Sequence, residues 1–372
     1  MKLVYLYTSI NWYRLELFRS LTKLVDTHIY ILNDAKQGYP GIKYLPDYHN
    51  INISFLSNEE SQFHNLCDIL NKESFDAIVV PSMNTLHYIM LTTRLAKYYS
   101  KQGKEILYFW EYWPMENSKS TLLKKIKQEI RHIFTRINKR YINAFITPSI
   151  NTLIFYRSMG IASSKIYRCY NASEISLQDL KTDIVRKKLN ITYNEKIILY
   201  FGRIEPYKGI FELLQAFNKC YQEKWHLLIC GPGQEYLPSD SIANSNIHII
   251  GSVAPEERCN YYAAANLFIL PNNYRGKIEP WGLTINEAMS FSLPILATNA
   301  TGSAVDLVFP GVNGFLLNVD NLVDDICYYV RLIFENELIE KELGENSKRI
   351  IQNYTFDNMA KAFVSAMNKC CS

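Results

Sequence analysis

Short apolar runs alternate with helix-patterned stretches from one end of the chain to the other, and this rhythm limits the possible folds more than any other property. In the first half the apolar runs fall at 2–7, 28–32, 51–55, 77–80, 106–110 and 144–147, with helical patterns at 12–25, 59–71, 85–100, 118–141 and 151–159. The second half repeats the rhythm, with runs at 197–201, 226–230, 247–250, 267–270, 294–298 and 314–317. Alternation of this kind implies a parallel sheet covered on both faces by helices. Polar residues 172–194 separate the halves. At 372 residues the expected fold is therefore α/β, with two doubly wound, Rossmann-like domains. A hydrophobic content of 48% is enough for two cores.

Residues 279–287 read Glu-Pro-Trp-Gly-Leu-Thr-Ile-Asn-Glu. Two carboxylates flank a glycine-containing turn that opens a helix at Leu283. A helix start offers unpaired N–H groups and a positive dipole end, which suit an anion. Carboxylates on either side suit hydroxyls. A diphosphate between two hydroxyl-rich rings describes a nucleotide-sugar. Alone, the segment also fits an ordinary amphipathic first turn, since acids favour helix starts for dipole reasons.

A second element upstream strengthens the phosphate reading. The run 197–201 ends in Gly202-Arg203; a loop with Pro206 follows, and Lys208-Gly209 opens a helix with Ile210, Leu213, Leu214 and Phe217 at helical spacing. Arg203 and Lys208 then sit between a strand's carboxyl end and a helix's amino end, where open α/β sheets bind ligands. A planar guanidinium fork and a point-charge ammonium both suit phosphate oxygens. The sequence contains no Asp-x-Asp metal motif and no Walker-type loop. Gly231-Pro232-Gly233 lacks the third glycine of a dinucleotide fingerprint, and Asp324-Asp325 reads as a solvated helix face. The diphosphate charge is therefore expected to be met by side-chain cations and helix ends, without metal.

Gly202-Arg203…Lys208-Gly209, Gly231-Pro232-Gly233, Glu279-x7-Glu287-Ala288-Met289 and Pro294-Ile295-Leu296-Ala297-Thr298 together resemble the retaining GT-B glycosyltransferases of family 4, the group 1 glycosyl transferases. The likeness covers about residues 195–320; the first half matches only in its alternation. The resemblance implies two domains facing across a cleft: an acceptor-binding domain over 1–171, a linker over 172–194, a nucleotide-sugar-binding domain over 195–352, and a last helix within 353–372 that crosses back to the first domain. It implies that Arg203 and Lys208 hold the diphosphate and that Glu279 bonds donor-sugar hydroxyls. Backbone amides of Trp281, Gly282 and Leu283, with Thr284, would meet the sugar and phosphate. Glu287 would bind the ribose, Val253 would lie against the base, and Gly202, Gly231 and Gly233 would line the donor. The anomeric configuration would be retained without a metal or other cofactor, the nucleotide-sugar serving as co-substrate.

The acceptor side rests on fewer residues. Asn11, Trp12 and Arg14 follow the first strand and read either as sugar or acceptor contacts or as a helix cap followed by packing residues. Glu111, among the aromatics of 109–113, reads either as an acceptor contact or base, or as a peripheral acid on an aromatic loop. Asn84 reads first as a helix cap, and His87 as structural. Helix 118–141 carries Lys119, Lys124, Lys125, Lys127, Arg131, Arg136, Lys139 and Arg140 against Glu129 alone, while the whole chain has a formal charge of only +4. Leu122, Leu123, Ile126, Ile130, Ile133, Phe134, Ile137 and Tyr141 form one stripe, expected to face the core because it lies between two strands. The charged face suits anionic lipid headgroups; no recognised nucleic-acid motif accompanies it.

The eight cysteines show no paired metal spacing, and the start of the chain enters a strand directly, which points to reduced thiols in a cytoplasm. The expected function is a metal-independent hexosyltransferase extending a cell-surface polysaccharide or lipid-linked saccharide, cytoplasmic or peripheral at the inner membrane face. The alternatives are a nucleotide-sugar-binding protein without catalysis and a nucleotide-sugar epimerase on the same fold.

Overall fold

The computed structural model describes residues 1–8, 12–33, 50–113, 122–175, 177–237, 242–275 and 277–370. Contacts divide the chain into two compact units. One runs up to Ala172 and resumes at Thr355; the other is Ser173–Tyr354.

The first unit holds a parallel sheet of β1 (Lys2–Tyr7), β2 (Asp26–Ile31), β3 (Ile53–Phe55), β4 (Ala77–Val80), β5 (Glu105–Phe109), β6 (Ala144–Thr147) and β7 (Ile166–Arg168). The spatial order is β3-β2-β1-β4-β5-β6-β7, so strand order reverses between β1 and β4. Alternate strand residues enter two separate cores. Val4, Leu6, Ile78, Val80, Ile106 and Tyr108 join one, while Leu3, Tyr5, Ala77, Val79, Leu107 and Phe109 join the other. Both faces are therefore covered, as a period of two in a doubly wound sheet requires. The helices of this unit are α1 (Trp12–Thr22), α2 (Phe63–Leu70), α3 (Leu86–Ser100), α4 (Leu122–Asn138) and α5 (Ile150–Ser158).

The second unit begins with α6 (Ile184–Leu189). Its sheet contains β8 (Lys196–Phe201), β9 (Trp225–Cys230), β10 (Ile247–Gly251), β11 (Leu267–Leu270), β12 (Ile295–Thr298) and β13 (Gly314–Leu317), all parallel, in the order β10-β9-β8-β11-β12-β13. Here the order reverses between β8 and β11. The helices are α7 (Ile210–Cys220), α8 (Arg258–Ala264), α9 (Leu283–Ser290), α10 (Gly302–Leu307), α11 (Leu322–Phe334) and α12 (Glu337–Ile351). The last helix, α13 (Phe356–Cys370), belongs to the first unit. Phe356, Met359, Phe363 and Met367 pack in the core that holds Leu15 and Phe18 of α1, and Ser20 Oγ donates to Asp357 Oδ1 at 2.7 Å.

Three local expectations change. Most of 172–194, read as a linker, is packed into the second unit: Val185 and Ile191 enter its core, and buried Arg186 donates to the carbonyls of Thr192, Glu195 and Ala264. Polar composition disguised this because the guanidinium satisfies carbonyls rather than water. Helix α3 is capped by Thr85, whose side chain accepts from Tyr88 N, and not by Asn84.

The third change concerns α4. Ile130 and Phe134 pack against the core, but Leu122 and Leu123 are 74% and 71% exposed, and Ile126 and Ile133 are exposed too. The rotation of the helix is set by polar groups. Arg131 Nε and Nη2 donate to the carbonyls of Met83 (3.2 Å) and Asn84 (2.6 Å), and Asn138 Nδ2 donates to Thr93 Oγ1 (2.9 Å). With Arg131, buried Thr135 and buried Asn138 turned inward, part of the apolar stripe must turn outward.

Candidate active site

The loops after β8 and β11 flank the point where strand order reverses in the second unit, the position at which an open α/β sheet leaves a crevice. Two close backbone approaches shape it. Gly209 has φ +68°, and a side-chain carbon there would lie 1.8 Å from the Pro271 carbonyl oxygen, so the loop after β8 presses directly on the end of β11. Gly231 has φ +139°, and a side-chain carbon there would lie 1.9 Å from the Gly202 carbonyl oxygen. Neither position accommodates any other residue without moving backbone.

Lys208 and Glu279 meet here. Lys208 Nζ lies 2.5 Å from Glu279 Oε2; the lysine side chain is nearly buried, while the carboxylate is a quarter exposed. Arg203, 52% exposed, pairs through Nη1 with Glu205 Oε1 at 2.8 Å, and its Nη2 donates to the Tyr207 hydroxyl at 3.4 Å. Tyr207 is buried, and burial pushes its pKa well up, with Glu279 reinforcing the effect, so it stays a neutral phenol. The ring gathers further charge: Lys208 Nζ lies 5.1 Å and Lys277 Nζ 4.7 Å from its centre. Lys277 escaped the sequence reading, since a lone lysine in a loop carries no pattern.

The turn before α9 fits an anion. Gly282 caps the helix with no side-chain bond, and among the described residues the N–H groups of Leu283 and Thr284 have no acceptor. Leu283 and Thr284 are half-buried. Trp281 is buried, its Nε1 donating to Asn286 Oδ1 at 3.0 Å, so only its backbone can serve a ligand. Glu279 is anchored through its backbone, where Gly302 N donates to Glu279 O at 2.9 Å. Val253, after β10, is half-buried against the core.

Glu287, expected to bind the ribose, already has protein partners on both carboxylate oxygens. It is 1% exposed. Oε2 accepts from Arg258 Nη2 and from the Tyr262 hydroxyl (2.6 Å), and Oε1 from Ser173 Oγ (3.1 Å). Burial works against the Arg258 charge, but Glu287 and Tyr262 outweigh it and hold the pKa above the ordinary value. Nothing local in the sequence marks Arg258 as the partner of a residue 29 positions on.

In the first unit, Arg14 and Glu111 come together as an ion pair. Arg14 is 3% exposed, lies 4.7 Å over the Phe109 ring, and also donates to the Tyr7 hydroxyl (3.1 Å) and Asn171 Oδ1 (3.4 Å). It is thus placed to orient Glu111 and not to touch an acceptor. Asn11 lies outside the described residues, and Trp12 is described only as the start of α1. Asn84 Oδ1 accepts from Trp110 Nε1 at 3.0 Å, while His87 is exposed. Among the described residues no three His, Cys, Asp or Glu side chains gather as a metal site, and no helix is long and apolar enough to cross a membrane.

Residues 181–350 match the family model of glycosyl transferases group 1. The match covers 170 of the chain's 372 residues, a little under half. Over 204 residues the chain is 26% identical to the lipopolysaccharide 1,2-N-acetylglucosaminetransferase of Salmonella typhimurium, covering 50% of this chain and 51% of that protein. It is 26% identical over 331 residues to an uncharacterized 41.2 kDa protein in the cps region of Klebsiella pneumoniae, covering 87% and 88%. The chain thus spans about half the length of the first of these relatives. Anabaena Alr3699/HepE in complex with UDP has a similar structure, with a TM-score of 0.78 at 18% identity over 99% of this chain and 100% of that one. That likeness identifies the fold as GT-B.

Proposed function

We propose that the chain is a retaining, metal-independent glycosyltransferase that moves a hexose from a nucleotide-diphosphate-sugar to a surface glycan or lipid-linked saccharide. The observation that carries this reading is the Lys208–Glu279 pair at 2.5 Å, set at the reversal of strand order beside a helix start with free N–H groups. A diphosphate competes with Glu279 for Lys208, while a sugar hydroxyl donates to the carboxylate so displaced. Arg203, exposed, turns from Glu205 to the same phosphates. The Leu283 and Thr284 amides supply the remaining donors.

In the reaction the acceptor oxygen bonds to the anomeric carbon. The bond from that carbon to the terminal phosphate oxygen breaks, leaving its electron pair on the phosphate, which takes the acceptor's proton on the same face. Fixed cations stabilise this developing charge without reorganising at the moment of transfer. Glu287 serves the ribose by exchanging Ser173 Oγ for a ribose hydroxyl on Oε1, while Arg258 and Tyr262 keep Oε2. Val253 lies against the base. Glu111, steadied by Arg14, meets the acceptor.

The partner surface is α4. Exposed Leu122, Leu123 and Ile126, beside exposed Lys124, Lys125 and Lys127, support docking on an anionic membrane that carries the acceptor. The relatives' names, a lipopolysaccharide transferase and a protein of a cps region, agree with a surface glycan.

The test begins with a thermal-shift screen of nucleotide-sugars, since a ligand of the folded state raises apparent stability. The donor so found is then incubated with free and polyprenyl-linked saccharides. Nucleoside diphosphate is expected to appear only when an acceptor is present, together with an extended glycan. Binding without release under any acceptor supports the binding-protein reading, and isomerised sugar without acceptor supports an epimerase.

A further inference from the structure

Three cations surround the buried Tyr207 side chain: Arg203 at its hydroxyl, and Lys208 and Lys277 within 5.1 and 4.7 Å of its ring centre. Two of them hold a carboxylate, Arg203 through Glu205 and Lys208 through Glu279. Those four charges cancel. Lys277 is exposed and, among the described residues, has no carboxylate partner, so it leaves the cluster net positive. Its neighbour in the same loop behaves differently: Arg275 Nη2 is paired with Glu212 Oε1 at 2.7 Å.

A lysine in an exposed loop ordinarily extends into water, away from other cations. Lys277 instead rests on the ring that Lys208 also touches. The ring's hold on an exposed ammonium is weak, so the ammonium is free to transfer to a better anion. We propose that Lys277 is a third cation of the nucleotide-sugar site, contacting the diphosphate and meeting the charge gained as the sugar departs. This rests on the transferase reading above. When the anomeric carbon–oxygen bond breaks, its electron pair adds about one negative charge to the diphosphate until the acceptor's proton arrives. Arg203 and Lys208 each begin paired with a carboxylate, which the diphosphate must displace; the unshared ammonium of Lys277 adds to them as the charge develops.

Calorimetric titration of the full chain with UDP, GDP and ADP tests the assignment. For the diphosphate that binds, Lys277→Ala is expected to weaken affinity about tenfold, as loss of a charge-assisted phosphate contact does, and Lys277→Arg to stay within about threefold. Arg275→Ala, in the same loop, is expected to leave affinity unchanged, and thermal midpoints of all three variants to match the parent protein. In turnover, Lys277→Ala is expected to lower kcat with little change in acceptor KM. Unchanged diphosphate affinity in Lys277→Ala overturns the assignment while leaving the transferase reading intact; so does an effect confined to acceptor KM. If the parent protein binds none of the three, and no other nucleoside diphosphate or nucleotide-sugar in the thermal-shift screen, the transferase reading itself falls, and Lys277 with it.

Discussion

Lys208 Nζ and Glu279 Oε2 stand 2.5 Å apart, although 71 residues separate them in sequence. The pair ties the loop after β8 to the turn before α9 and keeps an ammonium fixed where a diphosphate would lie. Removing one fixed donor to developing charge costs about 10²–10³ in kcat. Lys208→Ala and Glu279→Ala are each expected to lose activity on that scale while far-UV circular dichroism stays unchanged. Arg203→Ala, at a more exposed site, is expected to lose less. Full turnover in the Arg203→Ala, Lys208→Ala double variant, measured as nucleoside diphosphate released, would refute the site.

Glycines with positive φ are expected to separate by what surrounds them. Gly231→Ala must move backbone, because the new carbon would lie 1.9 Å from the Gly202 carbonyl oxygen at φ +139°. Gly103, in the first unit, has φ +73° but nothing within 4 Å. Gly103→Ala therefore incurs only the left-handed backbone strain of about 1–2 kcal/mol, whereas Gly231→Ala is expected to cost more than about 3 kcal/mol. Urea midpoints of the two variants decide this, and equal shifts would contradict it.

Period and turn chemistry explain why some parts were legible and others not. The helix Leu283–Ser290 and the strands Lys2–Tyr7, Ala77–Val80, Leu267–Leu270 and Gly314–Leu317 match the sequence reading to the residue, because buried parallel strands are continuous apolar runs with polar ends. Strand Ile166–Arg168 was missed, since three half-buried residues carry no period. The orientation of α4 was also illegible: spacing reveals an apolar stripe, but which face docks was decided by Arg131 reaching two distant carbonyls. Likewise the spacing of Glu279 and Glu287 suggested two acids that both meet ligand hydroxyls. Tertiary structure made one a partly exposed partner of Lys208 and buried the other against Arg258 and Tyr262.

Exposed Leu122, Leu123 and Ile126 beside Lys124, Lys125 and Lys127 make a measurable membrane claim. Each lysine near an anionic leaflet contributes about 1 kcal/mol. The Lys124→Glu, Lys125→Glu, Lys127→Glu variant is therefore expected to lose more than about tenfold in binding to phosphatidylglycerol-containing vesicles, with no change in thermal midpoint. Leu122→Ser, Leu123→Ser is expected to weaken binding through lost apolar contact, even at low salt. Equal sedimentation of the parent protein with phosphatidylcholine and phosphatidylglycerol vesicles would remove the electrostatic part of the argument.

Glu195 makes a contribution to stability that depends on pH in the acid range. The Thr192 hydroxyl donates to its Oε2 at 2.7 Å and the Thr192 N–H at 2.5 Å, and His226 Nε2 lies 3.3 Å from Oε1. The Thr192 bonds, hydroxyl first, hold its pKa down to about 2 from an ordinary 4.5 against the effect of burial, with His226 assisting. A carboxylate depressed in the folded state favours folding above its unfolded pKa, and that contribution drains away as pH falls toward the folded value. Glu195→Gln keeps an acceptor for Thr192 but carries no charge. The stability gap between parent and variant, read from urea midpoints, is therefore expected to be largest near neutrality and steady down to about pH 5. It should shrink below 4.5 and close near 2, the interval between the two pKa values. A gap unchanged at pH 3 would mean that the Thr192 bonds do not hold the carboxylate charged.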